Sequence, residues 1–130
     1  MTYKFFDTSA LLYINEEELL KEDSKIVIST ITLQELEALK LKDIYLARQV
    51  LRLLDTHEDK YEVYMYKLDM LIEIYDARFE VTNDTRILAT AIAYDKEVHP
   101  DEVVFVTNDR ALKHIANVFF GADSVISYTQ

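Results

Sequence analysis

The feature that most constrains the fold of this chain is a short apolar run that ends in three polar residues and leads directly into a helical pattern. The run covers residues 103–106, and Thr107, Asn108 and Asp109 follow it. Short runs rich in valine and aromatic residues, bounded by polar turn residues, are typical of buried strands. Asn108 is a good helix N-cap, so a helix is predicted to begin there. Asp109 is therefore predicted to lie at the carboxyl end of a buried strand, where open α/β sheets bind ligands.

The same arrangement occurs twice more in the chain. A second Thr-Asn-Asp sequence, ending at Asp84, opens another predicted helix, and Asp7 directly follows an apolar strand at residues 3–6. The carboxyl ends of parallel strands lie along one edge of a sheet. The fold is therefore predicted to bring Asp7, Asp84 and Asp109 together.

Strand-like and helix-like patterns alternate along the whole sequence. Strands are predicted at residues 3–6, 25–29, 61–66, 103–106 and 125–127. Helices are predicted from Thr8 or Ser9 to about residue 14, then at 15–24, 32–41, 43–55, 83–97 and from 108 onward, with Gly121 as the last helix stop. Residues 68–75 could form a helix or a strand, and a helix is favoured. Strands separated by helices predict parallel βαβ units. The predicted fold class is α/β, a three-layer α/β/α sandwich with a mainly parallel central sheet, in a single domain over residues 1–130.

Composition sets limits on the class of protein. Half of the 130 residues are hydrophobic, and the single Gly and single Pro favour long regular elements. The absence of Cys excludes disulfides and thiolate zinc sites. Neither a signal peptide nor a membrane span is evident, so a cytoplasmic protein without membrane contact is expected. A net charge of −10 argues against broad non-specific binding of nucleic acid, although a divalent metal could neutralise part of an acidic cluster.

Several acids have a structural explanation that competes with a functional one. Thr8 or Ser9 can cap the first helix, so Asp7 is free for a functional role. Thr32-x-x-Glu35 fits a capping box, which on pattern alone makes Glu35 structural. Asp84 and Asp109 each fall in a first helical turn, where the helix dipole favours a negative charge by about 0.3–1 kcal/mol. Either of these two acids alone is weak evidence for a site, and their shared Val-Thr-Asn-Asp context strengthens the pair.

Taken in order, these segments resemble the PIN-domain family of metal-dependent ribonucleases. The resemblance is carried by Phe6-Asp7-Thr8-Ser9-Ala10-Leu11, Thr32-x-x-Glu35-Leu36, Asp84-x-x-Ile87-Leu88-Ala89-x-Ala91 and Val106-Thr107-Asn108-Asp109-x-x-Leu112. The family's four acids match Asp7, Glu35, Asp84 and Asp109, so the resemblance reverses the structural interpretation of Glu35. Many members carry a further acid two residues after the fourth, and that position here is Ala111.

The resemblance implies an endoribonuclease that cleaves single-stranded RNA with metal-activated water. The four acids would be catalytic residues and ligands for Mg²⁺ or Mn²⁺, and the neighbouring polar residues would support them, namely Thr8, Ser9, Thr107 and Asn108. Arg86 and Arg110 could contact phosphate or pair with a neighbouring carboxylate. Lys40 belongs to a group of cations on consecutive helical turns that could flank a substrate groove or serve surface solubility, the others being Lys42, Arg48 and Arg52.

Other functions remain open on the sequence. One is a non-catalytic PIN-like binding or regulatory domain, which the acidic charge and Ala111 favour. A second is a toxin-type ribonuclease with an antitoxin partner. Residues 36–40 are similar to PIN domains found ahead of PhoH-type ATPases, which makes such an ATPase another candidate partner, and a homodimer is also compatible. A phosphoacceptor receiver would need paired acids after the first strand, and a haloacid-type phosphatase would need an acid at Ser9.

Overall fold

The computed structural model describes residues 1–21 and 23–128. The strands are β1 (Thr2–Phe6), β2 (Lys25–Ser29), β3 (Tyr61–Tyr64), β4 (Glu102–Val106) and β5 (Val125–Ile126). The α-helices are α1 (Thr8–Leu11), α2 (Glu16–Leu19), α3 (Thr30–Leu41), α4 (Tyr45–Thr56), α5 (Ile72–Asp76), α6 (Asn83–Val98) and α7 (Arg110–Phe120). Short 3₁₀ turns cover Glu58–Lys60, Leu68–Leu71 and Ala122–Ser124.

All strand pairs in the sheet are parallel, and the strand order is β3-β2-β1-β4-β5. In register, Phe5 of β1 lies between Val27 of β2 and Phe105 of β4. The order reverses at β1, because the chain first builds outward to β3 and then crosses to β4 on the other side. The carboxyl ends of β1 and β4 therefore form the topological switch point, where α/β sheets place their ligand sites.

Alternation of side chains along the strands divides the core into two layers. Phe5 points into one layer with Phe105, and Phe6 points into the other with Val106. Helices α5, α6 and α7 cover the first layer, while α1, α2 and α4 cover the second. Successive residues of a strand face opposite sides of a sheet, which produces this division. The predicted α/β/α sandwich with a parallel sheet is confirmed.

The helices and strands lie where they were predicted, and several of them differ from the prediction in where they begin or end. Strand β2 has the predicted bounds, and residues 68–75 are helical as expected. The helix predicted over 15–24 is only Glu16–Leu19, and Glu22 lies outside the described residues. Gly121 ends α7 as predicted, with a φ of 82° that favours glycine. Within the described residues, no helix is long and apolar enough to cross a membrane.

Candidate active site

Asp7 lies at the switch point and is almost completely buried, with an exposed fraction of 2 %. Its backbone N–H donates to the Val106 carbonyl at 3.0 Å, which continues the β1–β4 pairing by one step. Its Oδ1 accepts from the Ala10 N–H at 2.9 Å, so Asp7 itself is the N-cap of α1. The prediction that Thr8 or Ser9 caps this helix is therefore wrong. The cap residue is the acid, because β1 pairing continues up to Asp7 and the helix begins at the next residue.

Hydroxyl groups fill the remaining acceptor positions of the Asp7 carboxylate. Ser9 Oγ donates to Oδ1 at 2.8 Å and lies 2.9 Å from Oδ2. Thr107 Oγ1, at the end of β4, donates to Oδ2 at 2.5 Å. Thr107 is fully buried. These two hydroxyls fix the carboxylate between the ends of β1 and β4.

Glu35 lies in the second turn of α3 and faces α1. The Thr8 hydroxyl donates to its Oε1 at 2.5 Å and also lies 3.2 Å from the Thr32 hydroxyl. The capping box predicted for Thr32 and Glu35 is wrong, because Ser29 caps α3 by accepting from the Ile31 N–H. Glu35 is therefore not engaged at the helix end. Thr32 is buried and contacts Thr8, although its sequence pattern indicated only a capping role.

Asp109 caps α7 by accepting from the Leu112 N–H at 3.0 Å, and its own N–H donates to Thr107 Oγ1 at 3.0 Å. The prediction that Asn108 caps this helix is wrong by one residue. Asn108 instead donates its backbone N–H to Ser9 Oγ and accepts from the Tyr128 N–H through Oδ1. This link to Tyr128 was not apparent in the sequence, because no local pattern relates the two positions.

Asp84 lies in the first turn of α6, as predicted. Thr82 caps that helix and forms a reciprocal capping box with Thr85. The cap therefore leaves the Asp84 side chain, which is partly buried, outside the helix-end hydrogen bonds. The pKa of its carboxyl group therefore depends on burial and on the neighbouring charges.

The pKa of Asp84 is influenced by the charges of the other three acids. Burial is the largest cause that raises the pKa of Asp84, and the charges of Asp109, Glu35 and Asp7 raise it further. Burial also raises the pKa of Asp7, with a smaller rise from Asp109. Hydrogen bonds from Thr107, Ala10 and Ser9 oppose that rise. The charge of Asp84 thus interacts with those of the other three acids, although the four residues are up to 102 positions apart in sequence.

The donor set fits a hard divalent cation in kind and charge. Carboxylate oxygens are the ligands that Mg²⁺ and Mn²⁺ prefer, and within the described residues none of the four acids forms an ion pair with a basic side chain. No group of three or more acids or histidines in the described part of the chain is arranged to hold a metal ion directly. Asp7, Glu35 and Asp109 each accept a hydrogen bond from the protein, so ligation would replace some of those bonds.

The basic residues proposed from the sequence lie in different surroundings. Arg86 donates to Asn83 Oδ1 at 3.0 Å, and Arg110 is exposed at the first position of α7. Neither arginine pairs with a carboxylate among the residues described. Lys40 of α3 lines a shallow pocket of about 200 Å³ together with Arg48 and Arg52 of α4.

A groove of about 620 Å³ lies between the α1–α2 connection and α4. Tyr13, Leu46 and Leu53 are among its lining residues, and none of the four acids borders it. The acids therefore lie outside this groove.

The chain therefore folds as an α/β/α domain, with a carboxylate cluster at the topological switch point of its sheet. The PIN domain model matches residues 5–119, and the chain belongs to the PIN-domain family. The resemblance noted from the sequence is thereby confirmed. No curated protein matches the chain.

Solved structures with the same fold have low sequence identity to this chain. A domain of a functionally unknown protein from Methanocaldococcus jannaschii has 16 % identity and a TM-score of 0.63, with 100 % of this chain and 91 % of that chain covered. VapBC2 from Rickettsia felis, bound to a promoter DNA fragment, has 23 % identity and a TM-score of 0.58, with coverage of 98 % and 97 %. VapBC-5 from Mycobacterium tuberculosis, a toxin–antitoxin family member, has 22 % identity and a TM-score of 0.59, with 98 % of each chain covered.

Asp84→Asn is expected to raise the unfolding temperature at pH 7 in the presence of EDTA by about 2–4 °C. The folded-state pKa of Asp84 is raised, so the stability of the unchanged protein is lost as the pH rises through that pKa. The neutral asparagine does not lose stability in this way. It also lacks the favourable interaction of a negative charge with the helix dipole, which offsets part of the gain in stability. The difference should vanish near and below the ordinary aspartate pKa of 3.8. Thermal unfolding between pH 3.5 and pH 7 measures this.

Asp59→Asn is the matched control, because Asp59 is an exposed acid in the turn before β3. It removes the same charge and should leave the unfolding temperature nearly unchanged. An equal gain in both variants would mean that total charge, rather than repulsion within the cluster, limits stability.

Proposed function

We propose that this chain is a divalent-metal-dependent endoribonuclease that cleaves phosphodiester bonds of single-stranded RNA. PIN domains are generally nucleases and typically use divalent metals, which gives the reaction class. The observation that carries the proposal is the position of Asp7 and Asp109 at the ends of β1 and β4, where both hydrogen-bond to Thr107, with the charges of Asp109, Glu35 and Asp7 contributing to the raised pKa of Asp84. Such an arrangement is stabilised by a cation.

Asp7, Glu35, Asp84 and Asp109 are the residues proposed to hold Mg²⁺ or Mn²⁺. A bound ion of this kind supplies Lewis-acid stabilisation of phosphate charge and lowers the pKa of its water. The chain's own contribution is to hold the carboxylates in place. Backbone pairing with β4 fixes Asp7, and α3 carries Glu35 to the same edge.

The surrounding hydroxyls act as positioning residues in this proposal. Ser9 and Thr107 orient the Asp7 carboxylate, and Thr8 orients Glu35. Because hydroxyl groups both donate and accept, they can rotate when a carboxylate oxygen is taken by another partner. Outer hydrogen-bond partners of this kind typically change metal affinity or activity by about 10–100-fold when they are removed.

Glu35→Gln is expected to lower Mn²⁺-dependent cleavage of single-stranded RNA by about tenfold to a hundredfold, because an amide is a weaker, uncharged ligand. Glu37→Gln is the matched control, since Glu37 is exposed on the same helix two residues later. Cleavage is measured on a labelled single-stranded RNA with Mn²⁺ and with EDTA. Equal activity of both variants, or activity that persists in EDTA, would contradict the proposal.

The second candidate function is a non-catalytic binding domain, and the hydrogen bonds that occupy the carboxylates favour it. Calorimetric titration with Mn²⁺ separates the two functions. Absence of binding at millimolar Mn²⁺ would leave only the non-catalytic one.

We also propose that this chain has a protein partner. Two structures with this fold are VapBC proteins, and the one from Mycobacterium tuberculosis belongs to a family of toxin–antitoxin systems, which supports an antitoxin-type partner here. If the chain is a toxin-type ribonuclease, its expression without a partner should arrest growth, and Glu35→Gln should relieve that arrest. A PhoH-type ATPase and a second copy of the chain are the other proposed partners.

A further inference from the structure

We propose that a basic face on α3 and α4 binds the phosphate backbone of single-stranded RNA and leads it to the carboxylate cluster. The basic face consists of Lys40, Arg48 and Arg52. This inference rests on the proposed function, because it assigns a substrate-binding surface to the same reaction.

Charge is distributed unevenly along the chain. Residues 38–54 contain four basic residues and one acid, which gives a net charge of +3, whereas the other residues together carry −13. A polyanion is repelled by most of such a surface and attracted only where cations cluster. RNA phosphates are therefore repelled least at the basic face.

The cations of the basic face share one concave surface. Lys40 reaches it from α3, while Arg48 and Arg52 lie one turn apart on α4, and together they line a pocket of about 200 Å³. Leu51 also lines this pocket and is 8 % exposed. Guanidinium groups match phosphate oxygens with paired hydrogen bonds, so two arginines one turn apart suit consecutive phosphates.

Few acids compete for these cations. Arg48 Nη1 lies 3.7 Å from Asp43 Oδ1, but both side chains are largely exposed, and such pairs contribute little. Asp55 also borders the pocket. Lys40 and Arg52 form no ion pair with any residue in the described ranges. Their charges are therefore available to a ligand.

The basic face shares α3 with Glu35 and adjoins a surface for bases. Lys40 follows Glu35 by five residues on α3, which is an axial rise of about 7.5 Å and a turn of about 140° around the helix, so an RNA strand that contacts both passes around the C-terminal half of α3. Arg52 also lines the 620 Å³ groove, whose Tyr13 is 42 % exposed. Aromatic side chains beside a cationic track bind single strands by stacking bases. This combination favours RNA over an acidic protein segment as the occupant.

The test measures RNA binding separately from cleavage. In the Asp7→Asn background, fluorescence anisotropy of a labelled 15-nucleotide oligouridine is followed between 50 and 200 mM NaCl. Lys40→Gln, Arg48→Gln and Arg52→Gln together are expected to weaken binding about tenfold and to reduce the salt slope by roughly 2, since each single-strand phosphate contact contributes about 0.7. Circular dichroism verifies that the triple variant is folded.

The control triple variant removes the same charge elsewhere, through Lys60→Gln, Lys67→Gln and Arg78→Gln. It should keep RNA affinity within about twofold. Equal loss in both triple variants, an unchanged salt slope in the first, or no RNA binding at all would overturn the inference. A labelled glutamate-rich peptide that binds the basic face more tightly than RNA would also overturn it and assign the face to an acidic protein.

Cleavage is measured separately with Asp7 intact and Mn²⁺ present. RNA binding that depends on the basic face, without any cleavage, would support this inference and contradict the proposed function. Cleavage that does not depend on the basic face would do the reverse.

Discussion

Asp7→Asn is expected to abolish most Mn²⁺-dependent RNA cleavage while leaving the protein folded. The loss should be about a hundredfold or more, because a divalent ion contributes several kcal/mol of transition-state stabilisation and each 1.4 kcal/mol is about tenfold in rate. The asparagine oxygen can still accept from the Ala10 N–H, so the cap of α1 is kept. Removal of a buried charge offsets the hydrogen bonds that change at Ser9 and Thr107. The expected signature is lost cleavage without a lower unfolding temperature.

The activity of the unchanged protein should depend on pH through the same residue. Burial raises the pKa of Asp7, so its carboxylate becomes protonated at a higher pH than that of an ordinary aspartate. Metal ligation requires the deprotonated form. Cleavage should therefore fall as the pH decreases through the raised pKa, and rate measurements from pH 8 down to pH 5 follow this.

Asp101→Asn is the matched control for Asp7→Asn. Asp101 immediately precedes β4, at the opposite edge of the sheet, where it lies 3.5 Å from the N-terminal amine. Its replacement should leave cleavage unchanged. If Asp7→Asn retains cleavage, or if it unfolds at a much lower temperature, the carboxylate is structural and the proposed function fails.

Phe105→Ala is expected to produce the largest loss of stability, about 3–5 kcal/mol. Its ring is fully buried and stacks between Phe5 and Phe120, with ring centroids 6.4 Å and 5.9 Å away. Truncation leaves a cavity in the layer covered by α5, α6 and α7. Domains of this size are stable by only about 5–15 kcal/mol, so the variant should lose a large share of its folded stability.

Urea unfolding measures the effect of Phe105→Ala as a lower midpoint with an unchanged slope. Val118→Ala is the control, because Val118 is 65 % exposed on α7. Exposed substitutions usually change stability by less than about 0.5 kcal/mol. A loss below about 1 kcal/mol for Phe105→Ala would show that its aromatic neighbours can refill the space.

The architecture followed from the sequence because burial imposes short apolar runs on parallel strands. Residues 25–29 and 103–106 contain such runs, and both are strands of the sheet. The order of strands within the sheet did not follow, since nothing local in the sequence states that β1 lies between β2 and β4. Strand order depends on contacts between residues far apart along the chain.

Helix starts were the main source of error. For α1 and α3, polar residues were predicted between the strand and its helix, but the structure has almost no connecting loop there, whereas α7 begins later than predicted, at Arg110. Ser29, the last residue of β2, already caps α3, so Thr32 and Glu35 lie inside the helix. Asp7 follows β1 and caps α1 directly. Where several cap-forming residues stand in a row, strand pairing decides which one caps.

Only the family resemblance assigned Glu35 to the site, and that assignment stays a prediction. The local Thr-x-x-Glu pattern favoured a capping role, and the structure places the carboxylate against Thr8 of α1 instead. Proximity of Asp84 to the other acids was expected from its position at a helix start, and their charges contribute to its raised pKa. The catalytic roles themselves await the variants described above.

The pairing of β1 with β4 sets the order in which this domain can be completed during synthesis. Asp7 and Thr107 are 100 positions apart, yet they share a hydrogen bond. At about 5–20 residues per second, a ribosome needs roughly 5–20 s to proceed from one to the other. Until then one side of β1 has no partner strand, and the nascent chain is exposed to chaperones and proteases. The carboxylate cluster is therefore among the last features to assemble.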